Sequence, residues 1–154
     1  MPFAFNKELW DYGRNIEDKV LPIANELFDC DFKRNENDIY DILDFKDEEK
    51  KVVVEVKGRK IPSTQYTDTI ITASKITEGY HKIDEGYKVY FIFVFTDKMF
   101  QYELLEDSEF ECRFTGTNCI QHYLIPVKNL TEIKDEPKVI CDEVEEPVKE
   151  TEDY

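Results

Sequence analysis

Apolar residues recur every three or four positions between Asn6 and Phe28, a spacing that predicts an amphipathic helix. Asn6 is a favourable N-cap for this helix. Because Pro22 has no amide hydrogen to donate, we expect the helix to kink or divide near Lys19.

A second helix is predicted for residues 69–83 and would end at Gly86, the residue type that most often follows a helix. The run KVYFIFVF at 88–95 is almost continuously apolar, which is typical of a strand buried on both faces. We expect this strand at the centre of a sheet. The apolar face of the second helix would consist of Ile70, Ala73, Ser74, Thr77 and Tyr80.

Shorter runs rich in Val, Ile and aromatic residues predict the remaining strands. The order is therefore a helix, three strands, a helix and then further strands. This order indicates the α/β class, with a mixed central sheet flanked by helices. The predicted strands cover residues 29–33, 39–45, 51–59, 100–106, 110–115 and 120–127.

Length and composition limit the possible classes of protein. The 154 residues suit one domain, and their 14% aromatic content supplies a core. No stretch approaches the roughly 18 apolar residues that span a bilayer. The N-terminal residues show no secretory signal, so we expect a cytoplasmic protein. The four cysteines form no CxxC pair, which favours reduced structural thiols over a zinc site.

Charge is unevenly distributed along the chain. The formal net charge is −15, and residues 132–154 contain ten acidic residues and three lysines. We expect one domain at residues 1–131, followed by an acidic and partly disordered tail at 132–154. The alternative is an acidic arm that binds a basic partner.

The polar segment KDEEK predicts a hairpin whose loop runs from Asp47 to Lys50. That loop places Leu43 opposite Val54 and Phe45 opposite Val52. Since side chains alternate along a strand, one face of the hairpin would be apolar. That face would consist of Ile39, Leu43, Phe45, Val52, Val54 and Val56.

The opposite face of the hairpin would carry Asp44, Glu55 and Lys57. Asp44 would lie diagonal to Glu55, about 7–8 Å away between backbones, so that both carboxylates reach one cation. Mg²⁺ takes oxygen ligands, and phosphodiester hydrolysis uses a metal-activated water and charge neutralisation. Lys57 would stabilise the transition state or help to deprotonate the attacking water. The alternatives are a solvated ion pair, and Asp41 as the first ligand if the loop length changes by one residue.

The order of these elements resembles the PD-(D/E)XK nuclease superfamily: a helix with Glu17, Asp44 leading into a hairpin, Glu55-Val56-Lys57, a helix and a buried strand. The segments EVKGR, QYTDTIITASK, KVYFIFVFTD and HYLIPV are also similar to small nuclease-like proteins of large DNA viruses and phages. The resemblance implies a restriction-endonuclease-like αβββαβ core. It also implies hydrolysis of DNA with Mg²⁺, for which Mn²⁺ would substitute, inside the host cell if the protein is viral.

Site residues follow from this resemblance. It implies Asp44 and Glu55 as Mg²⁺ ligands, Glu17 as a further carboxylate of the metal site and Lys57 as the catalytic lysine.

Four further residues are candidates for contact with the substrate. Arg59 would hold a phosphate by a bidentate pair if the strand extends that far, the alternative being a surface arginine. Gln65 and Tyr66 precede the second helix, where the similar proteins place substrate-side residues, and Lys75 lies within that helix.

The negative charge argues against a nuclease, because Lys and Arg contacts to phosphate dominate affinity for nucleic acid. Two alternatives therefore stay open: a noncatalytic acidic protein or DNA mimic that binds a basic partner, and an RNA-cleaving nuclease with the same site. Homodimers are common among such folds, but no interface pattern predicts one here. For a nuclease, a basic rim formed by Arg59, Lys60, Lys75 and Lys82 would have to outweigh the negative electrostatic field of the whole chain.

Overall fold

The fold combines two helices with a six-stranded mixed sheet and a second sheet of three strands, as seen in a computed structural model that describes residues 7–34, 43–115 and 120–134. In chain order the helices and strands are α1 (Lys7–Phe28), β1 (Lys33–Arg34), β2 (Phe45–Asp47), β3 (Val52–Gly58), β4 (Asp68–Thr72), α2 (Ala73–Asp84), β5 (Lys88–Val94), β6 (Met99–Leu104), β7 (Glu111–Thr115), β8 (Ile120–Pro126) and β9 (Thr131–Glu132).

Helix α1 runs without interruption through Pro22, so the expected division near Lys19 is not found. Proline removes the hydrogen bond to the carbonyl of Asp18, four residues earlier, and its ring crowds that carbonyl, but the rest of the helix keeps its own hydrogen bonds. Asp18 and Pro22 are both exposed, so water can hydrate that carbonyl. The predicted N-cap Asn6 lies outside the described residues. The buried side of α1 consists of Ile16, Val20, Ile23 and Ala24.

The six-stranded sheet has the order β1-β2-β3-β5-β6-β9, in which β3 and β5 are parallel and the other neighbours are antiparallel. β5 lies inside the sheet, and its residues from Phe91 to Val94 are all buried. The prediction of a central strand at 88–95 is therefore confirmed. The strand order also places β3, which carries Glu55, in the interior of the sheet.

The first two predicted strands are wrong in their bounds. The chain does not extend directly from α1, because Asp29 has a φ of +52° and Cys30 N–H donates to Asn25 O at 3.0 Å. β1 is therefore only Lys33–Arg34, not residues 29–33. β2 starts at Phe45, and the predicted strand residues 39–42 lie outside the described part.

The β2–β3 hairpin forms, but its register differs from the prediction by two residues. Phe45 pairs with Val54 and Asp47 pairs with Val52, so the turn covers residues 48–51. Lys51 closes this turn with a φ of +58°. Since side chains alternate with a period of two, the shift leaves every paired residue on its predicted face.

Two apolar clusters lie on opposite faces of the six-stranded sheet. The cluster against α1 includes Phe45, Val52, Val54 and Val56, as the hairpin pattern predicts. Leu43 was expected there but belongs to the second cluster. It precedes β2, so its side chain does not follow the alternation of side chains along that strand. The second cluster lies against α2 and the smaller sheet and includes Val53, Ile71, Ile76, Phe91, Phe93 and Ile125.

The segment predicted to begin the second helix is a strand. β4 (Asp68–Thr72) pairs with β8 in the smaller sheet, whose order is β4-β8-β7, and α2 begins only at Ala73. The β-branched residues of 69–72 favour this extended conformation. The buried residues of α2 are Ile76, Gly79 and Lys82, not the predicted face.

The folded part of the chain extends past the expected boundary at residue 131. β9 pairs with β6, and Ile133 is 3% exposed, with its N–H donating to Met99 O at 2.9 Å. Residues 135–154 of the acidic tail lie outside the described part. Among the described residues, no helix is long and apolar enough to cross a membrane.

Candidate functional site

A cleft of about 280 Å³ opens where the first half of α1, the residues before β2, the end of β3 and the start of α2 meet. Four separate segments of the chain therefore contribute to it. The residues that line this cleft are Tyr12, Gly13, Glu17, Asp44, Glu55, Val56, Lys57, Gly58, Lys60 and Lys75.

Asp44 is held at the cleft by the backbone of β3. Val56 N–H donates a hydrogen bond to Asp44 Oδ2 at 2.8 Å. The observed hairpin register, continued by one residue beyond Phe45, puts Asp44 directly opposite Glu55 instead of diagonal to it. The two carboxylates are therefore closer neighbours than the predicted register allowed. Asp41, the alternative first ligand, lies outside the described residues.

Glu55 is the most deeply buried acid of the cleft, with 6% of its surface exposed. Lys75 Nζ lies 3.2 Å from Glu55 Oε2. Burial, and then the nearby Asp44 carboxylate, raise the pKa of Glu55 well above its usual range, and Lys75 only partly opposes this shift. The pKa of Lys75 is raised as well: burial alone would lower it, but Glu55, Asp44 and Glu17 outweigh burial.

Glu17 faces the same cleft from α1 and is tied to the edge of the sheet. Arg34 Nη2 lies 3.3 Å from Glu17 Oε1, and Arg34 Nη1 lies 2.6 Å from Asp18 Oδ1. Burial, followed by repulsion from Asp44, raises the pKa of Glu17 to about 7, although Arg34 and Arg14 oppose the shift. Glu17 therefore changes its charge near neutral pH.

Lys57 lines the cleft from the end of β3 and is half-buried. Burial lowers the pKa of the His122 imidazole in β8, and the positive charges of the nearby Arg59 and Lys57 lower it further. His122 is 1% exposed, and its Nδ1 lies 2.9 Å from Ile120 O. The geometry therefore favours a structural role for His122, while Lys57 is one of the lysines that line the cleft.

The structure does not bring three of the predicted substrate-binding residues into the cleft. Arg59 is fully buried and donates a hydrogen bond from Nη2 to Ile70 O, which ties the end of β3 to β4. A phosphate contact requires a guanidinium at the surface, whereas that of Arg59 is buried. Gln65 and Tyr66 are exposed in the connection before β4 and do not line the cleft. Lys75 alone among the four substrate candidates does.

Sequence reasoning missed Tyr12 as a lining residue, and it included Lys60 only as part of a general basic rim. Lys60 Nζ lies 4.1 Å from the centre of the Tyr12 ring, so the two form one wall of the cleft. Gly13 lies one helical turn before Glu17, a spacing that predicts a close approach of α1 to the sheet. A Cβ at Gly13 would meet nothing within 4 Å among the described residues, so the glycine leaves open space there instead. The spacing of Gly13 and Glu17 by one helical turn is the signal that places both at the cleft.

The carboxylate oxygens of the cleft are suited to bind a hard cation. Asp44 and Glu55 offer carboxylate oxygens side by side, and Mg²⁺ in proteins is bound by one or two carboxylates together with water. No group of three or more His, Cys, Asp or Glu side chains among the described residues is arranged to hold a metal ion. Asp44 and Glu55 are the adjacent pair, Glu17 lines the same cleft from α1, and Lys75 neutralises part of the charge of the pair.

Comparison of the chain with protein-family models, with curated proteins and with solved structures gives no match.

Proposed function

We propose that this protein is a Mg²⁺-dependent nuclease that hydrolyses phosphodiester bonds in DNA, with the cleft as its active site. The observation that carries the proposal is the meeting of three carboxylates and three lysines, from separate segments of the chain, in one cleft. The carboxylates are Glu17, Asp44 and Glu55, and the lysines are Lys57, Lys60 and Lys75.

The topology supports a restriction-endonuclease-like core within this proposal. α1 precedes the antiparallel β2–β3 hairpin, and α2 connects that hairpin to β5, which is parallel to β3. β6 then returns antiparallel to β5. The resemblance of the sequence to PD-(D/E)XK nucleases implies this order around the hairpin and the crossover helix.

In the proposed reaction, Asp44 and Glu55 would hold Mg²⁺, with Glu17 as a further carboxylate on the α1 side. The bound ion would supply a Lewis acid for the phosphate oxygens and neutralise their charge. Lys57 would place its ammonium group against the negative charge that develops on the phosphoryl group as water attacks and one P–O ester bond breaks. The ion pair with Glu55 holds Lys75 at the cleft.

The net charge of −15 argues against binding of nucleic acid, but the charge within the cleft is less unfavourable. Its lining contains three acidic residues and three lysines, so the cleft is formally neutral before any metal binds. The Lys75–Glu55 ion pair already balances one of the three carboxylates, and the raised pKa of Glu17, about 7, lowers the negative charge of the cleft further. A polyanion therefore meets a much weaker repulsion here than the chain as a whole suggests.

The experiment that tests the proposal combines Mg²⁺ and Mn²⁺ calorimetry with cleavage of single-stranded, duplex and branched DNA. We expect Glu55→Gln to abolish cleavage and weaken metal binding, and Lys57→Met to abolish cleavage but keep the metal. Glu106→Gln is the matched control, since Glu106 is exposed and outside the cleft. Wild-type protein that cleaves none of these DNAs with either metal would overturn the proposal, and cleavage of RNA alone, assayed in parallel, would redirect it to RNA.

A second candidate is a noncatalytic acidic protein that binds a basic partner on the same fold. It is favoured by the Lys75–Glu55 ion pair, which satisfies the buried acid from within the chain. It is also favoured by the net charge of −15. Failure of the metal and cleavage experiments, together with salt-sensitive binding to a basic protein, would support it over the nuclease.

A further inference from the structure

One face of α1 continues from the cleft toward the start of the helix. Residues 10, 13, 14 and 17 are spaced by three and four positions, so they share this face. Glu17 and Gly13 line the cleft. Trp10 lies one turn beyond Gly13, about 10 Å from Glu17 along the helix axis.

Gly13 forms a shelf on this face because it has no side chain. A Cβ built at this position meets nothing within 4 Å in the part of the chain that the structure describes, so the space above it is open there. Packing against the sheet therefore does not explain the glycine. Along this face of α1, Gly13 lies between Glu17, which lines the cleft, and Trp10.

The residues around the shelf combine aromatic surface and positive charge. Trp10 is 51% exposed, and Arg14 Cζ lies 5.2 Å from the centre of its ring. On the other side, Lys60 and Tyr12 form the wall already described. Two cations and an exposed indole thus flank an open path that leads to the proposed catalytic carboxylates.

We propose that the Gly13 shelf binds an unpaired nucleotide of the DNA strand, with its base stacked on Trp10 and its phosphates near Arg14 and Lys60. An indole ring can stack only on a base whose face is not covered by a neighbouring base pair, which selects single-stranded or frayed DNA over a closed duplex. The cations supply attraction to phosphate without sequence selection. This inference rests on the proposed nuclease function and names the substrate class for the same site.

Trp10 is the only tryptophan of the chain, so its fluorescence reports on this shelf alone. We would titrate the full-length protein with a short oligothymidylate and, in parallel, with a covalently closed circular duplex at the same nucleotide concentration, which exposes no terminal base face. Ca²⁺ would replace Mg²⁺, because it binds oxygen ligands with a looser geometry and is expected to leave the DNA intact. We expect the single strand to quench Trp10 and the duplex to leave it nearly unchanged.

Variants separate stacking from general affinity. We expect Trp10→Ala to weaken binding of a labelled oligothymidylate about 5- to 100-fold by anisotropy, the range that loss of one base–aromatic stack gives. Gly13→Gln fills the shelf and should abolish the quenching while Trp10 remains as the reporter. Phe114→Ala is the matched control, because Phe114 is 65% exposed in β7 and does not line the cleft. It should bind as the wild type does.

Several outcomes would overturn the inference. They are oligothymidylate binding without a change in Trp10 fluorescence, equal quenching by duplex, and wild-type affinity in Trp10→Ala. If DNA is cleaved and these results are found, the nuclease proposal stands and the shelf does not. If Trp10 is quenched by the single strand but no DNA is cleaved, the shelf stands and the nuclease proposal fails.

Discussion

Lys75 Nζ lies 3.2 Å from Glu55 Oε2 and 3.4 Å from Glu55 Oε1, so one lysine spans both oxygens of the most buried carboxylate in the cleft. The pair joins the start of α2 to the interior strand β3. A cation from the chain itself thus stands beside the oxygens that are proposed to bind Mg²⁺.

Lys75→Met should lower the free energy of unfolding by about 1–3 kcal/mol in metal-free buffer, because it leaves a buried carboxyl without its cation. Mg²⁺ should restore part of this loss, since it supplies the missing positive charge. Urea unfolding with and without Mg²⁺ measures both effects. Lys88→Met, at an exposed position of β5, is the control. Equal stability of Lys75→Met and the wild type would show that the ion pair does not contribute.

Glu17→Gln should change the pH dependence of stability. The folded-state pKa of Glu17, about 7, lies above its ordinary value of 4.5, so the folded protein retains a proton that the unfolded chain releases. Wild-type stability should therefore fall as pH rises from about 4.5 to about 7 and then level off. Near pH 8 the variant should be more stable than the wild type by about 1–3 kcal/mol, and near pH 4 equally stable.

Denaturant unfolding across this pH range measures the difference between Glu17→Gln and the wild type. Glu26→Gln, an exposed change on the same helix, should follow the wild-type curve. A Glu17→Gln curve parallel to the wild type would mean that Glu17 titrates normally in the folded protein.

Mg²⁺ should stabilise the wild type against heat. With a dissociation constant of about 1 mM, about 10 mM Mg²⁺ adds roughly 1.4 kcal/mol. This raises Tm by about 3–6 °C for a chain of this size. Asp44→Asn should lose the shift, whereas Asp84→Asn, exposed at the end of α2, should keep it. Because ligands must be deprotonated, the shift should be larger at pH 8 than at pH 6, and an identical shift in Asp44→Asn would exclude Asp44 as a ligand.

Alanine at two helical glycines should have opposite effects. Gly13→Ala should raise the free energy of unfolding by about 0.5–1 kcal/mol, because its Cβ meets open space and alanine favours the helix. Gly79→Ala should lower it by about 1 kcal/mol, because its Cβ would lie 2.6 Å from Leu104 Cδ2 in the core. Thermal or urea unfolding measures both. A stabilising Gly79→Ala would show that Leu104 moves aside without cost.

Arg59→Met tests whether this arginine serves the fold or the substrate. We expect it to lower the free energy of unfolding by about 2–4 kcal/mol, because it removes the buried guanidinium and the hydrogen bond that this group donates to Ile70 O. The salt dependence of DNA binding should stay as in the wild type. Unchanged stability combined with a weaker salt dependence would instead support the phosphate contact that the sequence predicts.

The sequence predicts the parts of the fold in which burial shows in the pattern of residues. β5 is recognisable because a strand covered on both faces is apolar at almost every position. The faces of the β2–β3 hairpin are also predicted correctly, although the register is wrong by two residues, because a shift of two preserves the alternation. Asp44, Glu55 and Lys57 therefore reach the cleft despite the wrong loop.

The errors arise where partners lie far apart along the chain. β4 looks like the start of a helix because its apolar residues continue the spacing of α2, and its strand partner β8 lies about fifty residues later. The burial of Arg59 and the contact of Lys60 with Tyr12 likewise depend on how β3, β4 and α1 pack. No local pattern encodes such contacts.

Because the cleft is built from four segments, it is complete only after most of the chain has been synthesised and folded. α2 takes its place by packing Gly79 against Val89 and Phe91 of β5, so Lys75 is positioned only after β5 has joined the sheet. A nascent or proteolytically clipped chain that ends before β5 therefore contains every acid of the cleft but no working site. Any activity that depends on this cleft would therefore begin only once synthesis and folding have passed that strand.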